Sequence, residues 1–213
     1  MLINKSVSEF IDQTASDSPT PGGGSVAAFA GGIGAALNAM VGELTFPKKD
    51  FEALSTEDQA MLKENHAKFL ELVADLKIAV DEDSTAFDSV MVAFKLPKET
   101  DEEKKARSQA IQDGYKKALE VPLNTAKLCL EILKLQDGIG RLGNINAITD
   151  VGTGTLMAYS GVEAALFNVT INLQSIKDEE YRTNIEREVE KVLAEAKVLR
   201  DQLIDVVYER LNG

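Results

Sequence analysis

Apolar positions along this chain recur with helical spacing and almost nowhere with the alternation of a strand. From Ile185, the residues Val189, Val192, Ala196, Leu199, Leu203 and Val206 advance by steps of four and three, an apolar seam on a long C-terminal helix. Glu186, Glu188, Lys191, Glu195 and Asp201 fill its other faces. A second seam runs from Thr56 to Phe94 through Leu62, Phe69, Val73, Leu76, Val80, Phe87 and Val90, with Ser55 and Asp58 marking its start and Pro97 its end. A third run extends from Glu102 to Leu135, and Pro122 predicts a kink or an interruption there. Two further helices are nearly uncharged: Ser25 to Leu44, and Val151 to Leu173, where Glu163 is the lone charge. A helix apolar on most sides must be surrounded, so these two belong at the centre of the fold or in a subunit interface. With no convincing strand and no solenoid repeat, the pattern predicts an all-α bundle of about six or seven helices.

Composition narrows the function classes. The 213 residues are 44% hydrophobic and 27% charged, as in an ordinary folded chain, and read as a single domain over residues 1–213. Aromatics are only 6%, which suits close packing of Ala-rich helices. The net charge of −12 makes the average surface repel nucleic acid and anionic membranes. Cys129 and His66 are the only residues of their kinds, which excludes intramolecular disulfides, cysteine–zinc clusters and His-based metal triads, and points acid–base chemistry toward carboxylates. Cys129 reads as core packing and His66 as an exposed structural residue. The N-terminal segment lacks the basic start and apolar stretch of a signal peptide, so a cytoplasmic location is expected. Ser25 to Gly42 is uncharged over nearly the length of a spanning helix, but its Ala, Gly and Asn38 favour a buried helix of a soluble protein.

Two polar, glycine-bearing segments precede the two uncharged helices: Asp17 to Ser25, and Asp137 to Asp150. Both are expected at helix N-termini, where free N–H groups favour polar or anionic ligands. In the first, Pro21 stiffens the turn, Gly22, Gly23 and Gly24 allow close backbone approach, and Ser25 can cap the helix. In the second, Asn144, Asn146 and Asp150, with Arg141 nearby, offer donors and acceptors suited to a heterocycle such as a pterin, or simply make a turn and a cap. Asp83 shares a helix face with Phe87 and so sits beside the apolar seam, where a carboxyl can have its pKa raised and move protons; its simpler role is a salt-bridged acid at the core edge. Asp81 and Glu82 are expected to be solvated. Lys48, Lys49, Lys95 and Lys98 are local positive spots in an acidic chain.

Together these segments resemble the cyclodeaminase/cyclohydrolase family of folate enzymes, the C-terminal half of bifunctional formiminotransferase-cyclodeaminases. The resemblance is carried in order by Pro19–Ser25, by Asp83–Phe87 with Leu96–Lys98, by Val121–Leu123, by Gly143–Asn146 with Asp150, and by Asn168–Leu173. It implies an all-helical dimer with Asp83 in the place of the catalytic acid and folate bound near the glycine-rich loop. It also implies one of two reactions: release of ammonia from 5-formiminotetrahydrofolate to give 5,10-methenyltetrahydrofolate, or hydrolysis of the methenyl compound to 10-formyltetrahydrofolate. A separate formiminotransferase is an expected partner, and no cofactor beyond the tetrahydrofolate substrate is called for. On this reading the Pro21–Ser25 and Asn144–Asp150 loops jointly hold the pterin, and Lys48, Lys49 and Arg141 meet the glutamate tail. A non-catalytic helical dimer assembled through the Ile185–Val206 seam is the competing reading.

Overall fold

The computed structural model describes residues 1–213 and contains eight α-helices and no strand. They are α1 (Val7–Thr14), α2 (Gly23–Thr45), α3 (Lys49–Glu52), α4 (Thr56–Ala86), α5 (Asp88–Phe94), α6 (Asp101–Leu142), α7 (Ile148–Leu173) and α8 (Glu179–Asn212). The count exceeds the sequence expectation because α3 is a single turn and the Thr56–Phe94 run breaks at Phe87. Phe87 and Phe94 are partly exposed rather than part of one buried seam. Starts obey local capping chemistry. Ser55 accepts from the Asp58 N–H at 3.0 Å, and Thr100 forms a reciprocal capping box with Glu103. Pro122 does not interrupt α6: the helix runs unbroken through it, and the proline ring is buried among neighbours that hold the segment helical despite the lost N–H.

The nearly uncharged α2 and α7 form the centre, packed side by side and antiparallel, with α6 behind both, α4 flanking α2 and α8 flanking α7. Glycine sets their separation. A β-carbon on Gly34 would lie 2.9 Å from the Gly154 carbonyl oxygen and 3.0 Å from the Ala158 nitrogen. One on Gly161 would lie 3.0 Å from the Ala27 carbonyl oxygen. The two backbones therefore touch where larger residues would hold them apart. Behind them, Asn38 and Gln136 are fully buried: Gln136 Nε2 donates to Asn38 Oδ1 at 2.9 Å and Asn38 Nδ2 donates to the Gly34 carbonyl at 2.8 Å, while Gln136 Oε1 is left without a partner. α2 is long and apolar enough by composition to cross a bilayer, and here three helices pack against it.

Candidate active site at the α2 N-terminus

The segment ahead of α2 is pinned by its own polar groups. The Thr20 carbonyl accepts from Gln13 Nε2 and from Ser18 Oγ, each at 2.6 Å, and Pro21, after a cis Thr20–Pro21 bond, is buried. Gly22 is the N-cap and has no side chain with which to cap. Helix α4 supplies one instead. Ser25 Oγ donates to Asp83 Oδ2 at 3.0 Å, and the Ser25 backbone N–H also points its charge at that carboxyl. Ser25 is therefore not the cap that its place in the sequence suggests. It is buried in the first turn, and its hydroxyl orients Asp83. A β-carbon on Gly24 would overlap the Asp83 carboxylate, so glycine is what lets the acid reach the helix end. Asn168, near the end of α7, completes the cluster: its amide nitrogen would lie 3.3 Å from a β-carbon on Gly23. Sequence reasoning quoted Asn168 as part of a motif without assigning it to the site.

Burial pushes the Asp83 pKa above the ordinary carboxylate value, and the Ser25 hydroxyl and N–H oppose that shift without cancelling it. A carboxyl so placed is easier to protonate than a solvated one, yet keeps donors aimed at its ionised form. Its neighbours differ. Glu82 is exposed, as expected, but Asp81 is not solvated: one oxygen accepts from the Leu2 N–H and the other is buried without a partner. Asp81 ties the N-terminus to α4 and leaves Asp83 as the carboxyl facing the glycine backbone.

The second loop is shorter than its composition suggests. α6 continues through Gly138 and Gly140 to Leu142, so only the few residues from Gly143 to Ala147 connect it to α7. Asn144 is consumed by the fold. Its N–H donates to Thr45 Oγ1 at 2.9 Å, its amide nitrogen donates to the Leu44 carbonyl at 3.1 Å, and its amide oxygen accepts from the Asn146 N–H at 3.1 Å. Arg141 turns back on its own helix to Asp137 at 2.8 Å. The exposed Asn146 side chain and the half-buried Asp150, in the first turn of α7, have no such tie. Thr45, Lys48, Asn144, Asn146 and Arg210 line a polar cavity of about 330 Å³ at the C-terminal end of α2, while Lys49 lies outside it. Arg210, from the last turn of α8, donates to the Gly140 and Gly143 carbonyls at 2.7 and 2.9 Å. Nothing in the periodicity of α8 marks Arg210 as part of a cavity 70 residues back along the chain.

Because α2 and α7 run antiparallel, the loop that starts each helix lies at the far end of the other. The length of α2 separates them by roughly 34 Å at 1.5 Å per residue. Within one chain, then, Gly24 and Ser25 meet Asp83, with Pro21, Gly22 and Gly23 directly before them, whereas Lys48, Asn144 and Asn146 gather at the opposite end, where Asp150 lies in the first turn of α7. The expectation that both loops hold one pterin is not met inside a single chain. His66 is also corrected: it is half-buried, 3.0 Å from Glu43 and edge-on to Phe46. Cys129 packs between Gly31 and Gly161, and burial pushes its thiol up to about 12, so it stays protonated and inert.

Known proteins share the sequence pattern and the helical fold. The family described as Formiminotransferase-cyclodeaminase matches residues 6–207. A methenyltetrahydrofolate cyclohydrolase from Methylorubrum extorquens is 39% identical over 212 residues and matches end to end, covering 100% of both chains. The formimidoyltransferase-cyclodeaminase of Gallus gallus is 39% identical over 196 residues, and that of Rattus norvegicus 33%; in both cases 92% of this chain matches 36% of a longer protein. The crystal structure of a formiminotetrahydrofolate cyclodeaminase from Thermotoga maritima superposes with a TM-score of 0.85 over 99% of this chain and 100% of that one, and at 24% identity that likeness concerns the fold. With the family pattern spanning nearly its whole length, and with relatives at this level of identity, the chain belongs to the formiminotransferase-cyclodeaminase family.

Proposed function

We propose that the chain is a formiminotetrahydrofolate cyclodeaminase with Asp83 as its proton carrier. The observation that carries this reading is the half-buried Asp83, its pKa raised by burial, held by Ser25 against the bare backbone of Gly24. In the reaction N10 attacks the formimino carbon and forms the new C–N bond. The tetrahedral carbon then expels its amino group as ammonia, leaving the methenyl bridge. N10 must lose a proton and the departing amine must gain one. Asp83 moves that proton from the first nitrogen to the second, and the glycine loop holds N10 close to the carbon it attacks.

The end-to-end match with a stand-alone cyclohydrolase supports a second reading, hydrolysis of the methenyl compound. There the Asp83 carboxylate takes one proton from the water that adds to the methenyl carbon; the bond to N5 then breaks as N5 gains a proton and the carbinol hydroxyl loses its own, leaving the formyl group on N10 and one proton released. Supplying 5-formiminotetrahydrofolate and following the methenyl absorption band together with ammonia tests the first reading. Band and ammonia rising together above the uncatalysed rate is the expected result. Background ammonia, with loss of the band when 5,10-methenyltetrahydrofolate is supplied, selects hydrolysis instead.

Lys48 and Lys49 are assigned to the glutamate tail. The Lys48→Ala/Lys49→Ala pair is expected to weaken binding of a polyglutamylated folate several-fold, and more at low salt than at high, with less effect on the monoglutamate. Equal affinities for parent and variant, measured by titration at two salt concentrations, would remove both lysines from the site.

A further inference from the structure

The seam along which α7 meets α2 is built from small residues that advance by four and three: Gly154, Ala158, Gly161 and Ala165. It crosses α2 in reverse order. Gly154 and Ala158 lie against Gly34, and Gly161 lies against Gly31 and Ala27. The next step of three on α7 is Asn168, and the next turn of α2 is its first, at Gly23. The seam thus ends, at the Asp83 site, on a half-buried amide where every earlier position is a glycine or an alanine.

Gly23 and Gly24 divide that end between two helices, because successive residues point about 100° apart around a helix. The Asp83 carboxylate of α4 takes the place of a Gly24 β-carbon. The Asn168 amide of α7 lies beside the place of a Gly23 β-carbon, with Nδ2 3.3 Å and Oδ1 3.6 Å away. That amide is held in one orientation. Asn168 Nδ2 donates to the Ala164 carbonyl at 2.9 Å, and a carbonyl can only accept, so the nitrogen faces its own helix and the oxygen is left over. No donor of the chain reaches that oxygen, whereas Asp83 is already held by Ser25. On either side of a bare backbone the site therefore presents a carboxyl that can exchange a proton and an amide oxygen that can only accept.

We infer that Asn168 Oδ1 accepts a hydrogen bond from the formimino nitrogen of the substrate, and that Asn168 is the residue by which the site tells the formimino compound from the methenyl one. This rests on the deamination reading above. The two folates differ at the reacting carbon. In 5-formiminotetrahydrofolate that carbon carries a nitrogen with an N–H. In 5,10-methenyltetrahydrofolate it is bonded to N5, N10 and hydrogen and offers no N–H. An acceptor with no proton to give is matched by the first and finds no partner there in the second. As the tetrahedral carbon expels ammonia, the departing nitrogen gains its proton from Asp83 and its N–H groups become stronger donors, so the bond to Asn168 strengthens toward the transition state. Asn168 moves no proton itself; it holds the leaving nitrogen beside the group that protonates it.

Two variants of the full chain test this. Asn168→Leu keeps the approximate volume of the side chain and removes the acceptor, and Asn168→Ala removes it without adding bulk. Both are expected to fold as the parent does by circular dichroism and to lower kcat/KM for 5-formiminotetrahydrofolate about tenfold or more. The inhibition constant of 5,10-methenyltetrahydrofolate, measured in the same ammonia assay, is expected to stay within about twofold of the parent value, which also shows that the folate site is intact. Deamination within about twofold of the parent in both variants, or an equal weakening toward both folates, overturns the role of Asn168 while the wild-type activity stands. A wild-type chain that releases no ammonia above background overturns the deamination reading, and this role with it.

Discussion

Asp83→Asn is expected to lower turnover about 10²- to 10⁴-fold, the range that a positioned proton carrier contributes. Affinity for the folate should change little, because asparagine keeps the size of the side chain and an oxygen that can accept from Ser25. The same oxygen keeps α2 capped, so the loss is chemical rather than structural. Asp83→Ala should differ. It removes the cap as well, at about 1 kcal/mol, and so lowers both turnover and melting temperature. Stability against pH separates the two roles further. Burial raises the Asp83 pKa in the folded protein above its unfolded value, so across the window between them the native state binds more protons than the unfolded state. The favourable contribution of the protonated acid is complete below the unfolded value, near pH 4. It is lost as pH rises through the raised folded value. Asp83→Asn cannot ionise, so at neutral pH it should melt at or above the parent temperature, and below about pH 4 the two should converge. Thermal unfolding across that range, with turnover at neutral pH, checks both halves. A variant that melts well below the parent at pH 7 and still turns over would make Asp83 a cap and nothing more.

Gly34→Val should have the largest effect on stability. Its β-carbon would meet the Gly154 carbonyl oxygen and the Ala158 nitrogen at 2.9 and 3.0 Å, and both are backbone atoms that cannot move aside without separating α2 from α7. Forcing atoms into such a contact costs about 3 kcal/mol, which lowers the melting temperature of a protein this size by about 6–12 °C. Gly32 is the control. A β-carbon there would lie 3.6 Å from the Leu76 Cβ, an ordinary contact, so Gly32→Ala should gain about 0.5–1 kcal/mol from helix propensity. Calorimetry of the two variants decides between backbone contact and simple helix propensity as the reason for glycine in α2. Equal melting temperatures would refute the close approach.

Helical character, the approximate bounds of α2 and α7, the starts of α4 and α6, the Ser55 cap and the buried place of Cys129 were legible along the chain, because each follows from the spacing of neighbours within a few turns. So was the candidacy of Asp83, a carboxylate beside an apolar seam with a glycine loop elsewhere. The break at Phe87 and the uninterrupted passage of α6 through Pro122 were not legible, because both depend on what packs around those residues rather than on the residues themselves. The half-burial of His66 and the capture of Asp81 by the Leu2 N–H escaped for the same reason.

The placement of the two loops shows where local reasoning ends. Each segment leads into a buried helix, although Asp137–Leu142 already belongs to α6, and each has polar groups suited to a ligand. Whether they meet depends on the relative direction of α2 and α7. That direction is set by contacts between Gly34 and Gly154 and between Ala27 and Gly161, residues remote from one another in the chain. By itself the sequence determined the all-α class, the helices, the family pattern and the acid to test, since these rest on short-range periodicity and on motifs. Only the tertiary structure decided that Ser25 orients Asp83 rather than capping its own helix, that Asn144 is spent on Thr45 and Leu44, and that the two polar loops stand at opposite ends of the α2–α7 pair, because backbone approach and burial arise between helices and not along them.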